Sequence, residues 1–187
     1  MMMNRFIGAL AFLGLVGLGF AQTQHTVTVN VPSVLQVSID AQDVLFDFSS
    51  DLGSQTLTVG GTAYPRASYN NYVAFLDAGN SYQVFAPTLV SLGGNSTADW
   101  VTLTVRSNRA QWTASVDAAS GSALAAPLDN TRIQVYAEKV SGAGTSQTGA
   151  PTPLPSTTGS VPLAKAVSYG QGKSVYKVYH LLRLDLS

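Results

Sequence analysis

This sequence predicts an all-β protein, an antiparallel β-sandwich of about eight to ten short strands. Three features point that way. Apolar residues recur with period two in short runs, and spacing of the helical kind is nearly absent. Clusters of Gly, Ser, Asn and Pro separate the runs. The outward positions of those runs are mostly Thr, Ser, Gln and Asn.

The elements follow in chain order. In His25 to Val31, Val27, Val29 and Val31 share one face and Thr26, Thr28 and Asn30 the other. Pro32 interrupts that ladder, since proline has no N–H to donate. Leu35, Val37 and Ile39 resume the alternation, followed by Val44, Phe46 and Phe48, and then by Leu57 and Val59. A helix could form near Ser68 to Ala78. Ser81 to Ala86 reads as a strand. The clearest hairpin is Trp100 to Arg106 followed by Trp112 to Asp117, with a turn at Ser107-Asn108-Arg109-Ala110, where asparagine tolerates left-handed geometry. Arg132 to Val140 is a further strand. The last, Ser174 to Leu186, carries Tyr176, Val178, Leu182, Leu184 and Leu186 on an apolar face, with Lys177, Tyr179, Arg183 and Asp185 opposite.

A transmembrane barrel would alternate too, but its strands need about 9–11 residues, and most runs here are shorter. Residues 22–187 are read as a single sandwich domain. Within it, 141–160 is a Pro/Gly/Ser/Thr-rich stretch without charge, with Pro151, Pro153 and Pro155 in five residues. It reads as a long exposed loop, either a tolerated insertion or a presentation segment open to O-glycosylation.

Residues 1–21 read as a signal peptide. Arg5 supplies the positive start, Phe6 to Phe20 is apolar or glycine, and Gly19 and Ala21 are small residues before a cut at Gln22. The run of about 15 residues is short of the ~20 that span a bilayer. The expectation is therefore an exported chain, secreted or at the cell surface, with no membrane span in its mature part.

Composition narrows the function classes. Charged residues are 11% of the chain, against roughly 25% in an average protein. The formal net charge is zero, so no footprint for nucleic acid is visible. With no cysteine, a disulfide scaffold, a thiol nucleophile and cysteine-based metal sites are excluded. No cofactor or metal is expected. His25 and His180 are the only histidines. His180 falls on the apolar face of the last strand and reads as a core or interface residue; a pairing with an aspartate is the one catalytic arrangement available. No G-x-S-x-G elbow occurs. Asp77-Ala78-Gly79 lacks the Ser or Thr at the middle of an aspartic protease turn, has no second copy and reads as a hairpin turn. Asp43, Asp47 and Asp51 are too spread along an extended chain to meet at one calcium ion unless a turn folds Asp51 back. Gly60-Gly61 and Gly93-Gly94 lack the lysine and helix of a phosphate loop.

The aromatic residues offer more. Tyr64, Tyr69 and Tyr72 crowd the stretch Gly60 to Tyr72, which reads as loop. Tyrosines so placed stack on sugars or anchor a partner. Trp100 and Trp112 read as core or core-rim residues.

Val101 to Val116, VTLTVRSNRAQWTASV, resembles exported bacterial β-sandwich proteins, in which a strand ends in Ser-Asn and a Trp opens the next. The ending VYKVYHLLRLDLS is similar to the last strands of pilin-like and surface-layer-associated domains. The resemblance implies an immunoglobulin- or pilin-like sandwich and a non-enzymatic structural subunit of the bacterial surface, assembling into a filament or envelope layer. Val27, Val29 and Val31 would then belong to a donor strand, an alternating segment that completes a neighbour's sheet. The other reading is an adhesin that binds carbohydrate through Tyr64, Tyr69 and Tyr72. Partners would be other copies, envelope proteins or glycans.

Overall fold

The computed structural model describes residues 33–118, 129–156 and 159–186. The leader 1–21 and Val27, Val29 and Val31 lie outside the described residues. The strands run β1 (Leu35–Ile39), β2 (Ala41–Leu45), β3 (Thr56–Val59) and β4 (Thr62–Pro65), followed by helix α1 (Tyr69–Ala78). Then come β5 (Tyr82–Phe85), β6 (Leu89–Leu92), β7 (Thr97–Ala98), β8 (Val101–Ser107), β9 (Trp112–Ala118) and β10 (Ile133–Ser141). The chain finishes with β11 (Thr145–Ser146), β12 (Thr152–Pro153), β13 (Gly159–Ala166) and β14 (Gly172–Asp185). Among the described residues strand makes up 55% and helix 9%, in several antiparallel sheets that form no barrel, so the all-β, sandwich-like expectation holds.

The largest sheet has the order β1-β8-β14-β10-β12. β14 is its spine. One edge of β14 pairs with β10 from Val175 to Leu182; the other pairs with β8 from Gly172 to Val178 and with β5 from Leu182 to Asp185. A second layer, β11-β13-β9, packs on this sheet. Residues directly opposite across a ladder share a face, so Leu103 and Tyr176, and Val101 and Val178, point the same way. That face meets Trp112, Ala114, Val161, Leu163, Ala164 and Ala166 of the second layer, forming the main core. Tyr176 is fully buried, and its ring meets Trp112 edge-on at 6.3 Å.

The last strand is not one-sided. Its other face carries Leu181 and Tyr179, both buried, in a second core with Leu57, Val59 and Ala86. Tyr179 was expected outside. The β3–β4 hairpin covers it, together with Trp100. Burial and the nearby Glu138 carboxylate push its phenol up to about 12.

The expected hairpin at Ser107–Ala110 does not exist. β8 pairs with β1 and β14, whereas β9 pairs with β13 in the other layer. The turn therefore carries the chain from one sheet to the other. Both apolar faces still point into one core, which is why alternation alone suggested a hairpin.

Two further expectations change. Gly60 to Tyr72 is not loop: Gly60 and Gly61, at φ +57° and +83°, close the β3–β4 hairpin, and α1 begins at Tyr69. Ser68 caps that helix by accepting the Asn71 N–H at 3.3 Å, and Gly79 ends it at φ +61°, so Asp77-Ala78-Gly79 is a helix end and no hairpin turn. The stretch 141–160 is tied down where it is described. The Thr148 hydroxyl is buried and accepts the Ala137 N–H at 2.7 Å; the Leu154 N–H donates to the Ile133 carbonyl at 2.9 Å; and Tyr176 OH donates to the Ala143 carbonyl at 2.7 Å. Pro153 even joins a two-residue ladder with β10, which proline tolerates at a sheet edge.

Candidate functional site

The large sheet has three edge strands, β1, β12 and β5, and the first two are unlike. β12 is two residues long and contains Pro153, with Pro151 and Pro155 beside it. Short, proline-bearing edges resist pairing with other chains. β1 is LQVSI, with no charge and no proline.

The orientation of its backbone follows from one residue. Val34 donates its N–H to the Asn108 side chain at 2.8 Å and accepts the Asn108 N–H at 3.2 Å, so both its polar groups face β8. In an antiparallel ladder the direction alternates. Gln36 and Ser38 therefore also face β8, while Leu35, Val37 and Ile39 turn their N–H and C=O outward. Among the described residues β1 pairs only with β8. The same three residues are exposed, Leu35 at 39%, Val37 at 50% and Ile39 at 65%. Backbone demand for hydrogen bonds and apolar surface thus coincide on one edge.

Their side chains open onto a cavity of about 360 Å³ between the two layers. Val37 and Ile39 form its outer lip, Val101, Leu103 and Val178 its floor, and Val116 and Leu163 its opposite wall. The cavity is mainly apolar. Its polar lining comes from Asp43, Ser115, Asp117 and His180. His180 keeps a partly exposed edge, but its Nδ1 is shut off from solvent and has no hydrogen-bond partner among the described residues. Burial alone pushes the imidazole down to about 4. Neither Asp43 nor Asp117 acts on it, so the histidine is neutral at pH 7 and no acid–base pair forms there.

The other candidates are dispersed. Asp43 lies in β2, while Asp47 accepts the Ser49 N–H and hydroxyl, which hold it below the usual carboxylate range. No group of three metal-ligating side chains occurs among the described residues. Tyr64, Tyr69 and Tyr72 do not share a loop or a surface. Tyr64 packs with the second core on one face of the large sheet. Tyr72 meets Phe48 at a tilt with ring centroids 5.3 Å apart, and Phe48 meets Phe85 edge-on, on the opposite face. Tyr69 is exposed at the start of α1. Trp112 is a core residue, its Nε1–H donating to the Gly170 carbonyl at 2.7 Å. Trp100 is at the rim, under the Lys177 ammonium at 4.0 Å.

Sequence reasoning missed the cavity because its lining is spread over six strands. The signal within reach was the apolar alternation of Leu35, Val37 and Ile39 in β1. No helix among the described residues is long and apolar enough to cross a membrane. The chain matches no protein-family model, no curated protein and no solved structure.

Proposed function

We propose that the chain is an exported, non-enzymatic structural subunit that joins other copies through its sheet, the kind of subunit from which a cell-surface filament or envelope layer is built. The observation that carries this reading is the β1 edge, where outward backbone groups and exposed Leu35, Val37 and Ile39 coincide without any guarding charge. A lone protein ordinarily blunts such an edge with lysine, proline or a bulge. The proline-guarded β12 edge of the same sheet makes the contrast internal to the molecule. The sparse charge supports the reading as well, because a permanent subunit interface is composed much like a core.

The test is assembly of the mature chain, residues 22–187, followed by sedimentation velocity and electron microscopy at rising concentration. The expected result is growth into polymers that Val37→Lys combined with Ile39→Lys abolishes, with the folded β-spectrum kept. A wild-type chain that stays monomeric throughout refutes the reading.

A further inference from the structure

The partner for this edge is encoded in the same chain. We infer that the groove between β1 and β9 is an acceptor for residues His25–Val31 of a second copy, which add a strand to β1 and lay Val27, Val29 and Val31 into the cavity. The inference rests on the assembly reading above and names what fills its site.

The fit is one of period and chemistry. Leu35, Val37 and Ile39 offer outward N–H and C=O groups at every second residue, and an added strand satisfies them with its own alternate residues. In such a strand alternate side chains share a face, so three valines enter the groove together while Thr26, Thr28 and Asn30 face away. The groove floor, Val101, Leu103 and Val178, is apolar. Residues 22–31 contain no Asp, Glu, Lys or Arg, so no charge is desolvated on entry.

Three observations direct the segment to a neighbour rather than back onto its own β1. A two-residue hairpin across Pro32-Ser33 needs a positive φ at its first position, and proline holds φ near −65°. That register would also set Val31 opposite Val34 and Val29 opposite Gln36, which puts the valines on the face away from the groove. A three-residue turn ends in a residue with positive φ, and neither Ser33 nor Val34 has one. Ser33, moreover, is held toward the β8 side, its hydroxyl accepting from Arg109 Nε at 2.8 Å. Pairing of β1 with the β1 of a second copy would occupy the same edge, and the experiment below separates it from segment addition.

The absence of cysteine makes the test clean. Single-cysteine forms of the full mature chain are mixed in pairs, one carrying Val37→Cys and a differently tagged one carrying a cysteine at each position from 26 to 31 in turn. Copper–phenanthroline serves as oxidant, and products are read on non-reducing gels. Paired positions in a ladder lie within disulfide reach. The expected result is mixed-tag dimers from positions 27, 29 or 31 and none from 26, 28 or 30. The double variant Val29→Cys/Val37→Cys should give a ladder of linked chains. Three results overturn the inference: an internally linked monomer from the double variant, Val37–Val37 homodimers as the main product, or no valine-specific link. If the mature chain polymerises in those cases, the assembly reading stands and only this occupant falls. If it is monomeric, both fall.

Discussion

β3–β4 and β8–β9 are both strand–turn–strand stretches with alternating apolar residues, yet only the first is a hairpin. β3 and β4 pair through a two-glycine turn with positive φ at both positions, the geometry whose twist matches that of paired strands. β8 and β9 are separated by Asn108, Arg109, Ala110 and Gln111 and part into different layers. The stretch that looked most like a hairpin is an arch, and a glycine pair first weighed as a phosphate loop is the hairpin turn. Alternation says which side of a strand is apolar. It does not say whether the next strand lies beside the first or across the core from it. A hairpin encloses nothing; an arch spans a core, and here it also leaves the open cavity beside β1.

The arch stands or falls on its anchor across the core. Trp112→Ala should destabilise the protein by about 3–5 kcal/mol, read from urea unfolding, because it removes the ring that meets Tyr176 and the donor to Gly170. A cost near that of a surface substitution would mean that the arch does not hold the layers together.

The arch's cavity makes a pH prediction. His180 titrates near 6.5 when unfolded and at about 4 when folded. Above pH 6.5 both states are neutral and His180 adds no pH dependence. Between 6.5 and 4 the unfolded chain takes up a proton that the folded chain refuses, so stability falls as the pH drops. The full loss is on the order of 3 kcal/mol once both states are charged. Unfolding midpoints of the wild type should fall from pH 7 to pH 4.5, and those of His180→Gln should fall less.

The hairpin is sharpened by its two glycines. Gly60→Ala places a Cβ 3.1 Å from the Tyr136 ring at φ +57°, whereas Gly61→Ala meets nothing within 4 Å at φ +83°. Both incur left-handed strain of about 1–2 kcal/mol, and Gly60→Ala should cost measurably more by urea unfolding. Equal costs would mean that Tyr136 yields freely. The smallest effect on stability belongs to the edge. Val37→Lys should shift it by no more than about 0.5 kcal/mol, although assembly is expected to suffer most there.

Much of the fold was legible because local rules carried it. Leu57 and Val59 lie in β3, and the runs Ser81 to Ala86, Arg132 to Val140 and Ser174 to Leu186 fall, to within a residue or two at their ends, on β5, β10 and β14, and Ser68 and Gly79 bracket the helix as capping chemistry directs. The misreadings share one cause. Tyr179 was set outside with Lys177 and Arg183, and the β3–β4 hairpin, more than a hundred residues earlier, buries it together with Trp100 and Tyr136. Pro151 to Pro155 looked incompatible with pairing, yet at the outermost position of a sheet Pro153 loses no hydrogen bond that a neighbour could offer. The candidate site was half legible: the valine segment and the apolar β1 residues are readable one strand at a time, and the cavity they flank is not.

The sequence by itself determined that the described chain is built of strands, which residues form each strand's apolar face, and where glycine and serine turn or cap the chain. These depend on backbone sterics and on periods of two, which act between near neighbours. Tertiary structure alone decided which strands lie side by side and which face each other, that β14 is covered on both sides, and that β1 is left with an apolar edge beside an open groove. Those outcomes depend on contacts between residues far apart in the chain, and an alternating strand pairs as readily with one neighbour as with another until the whole set of layers closes around a core.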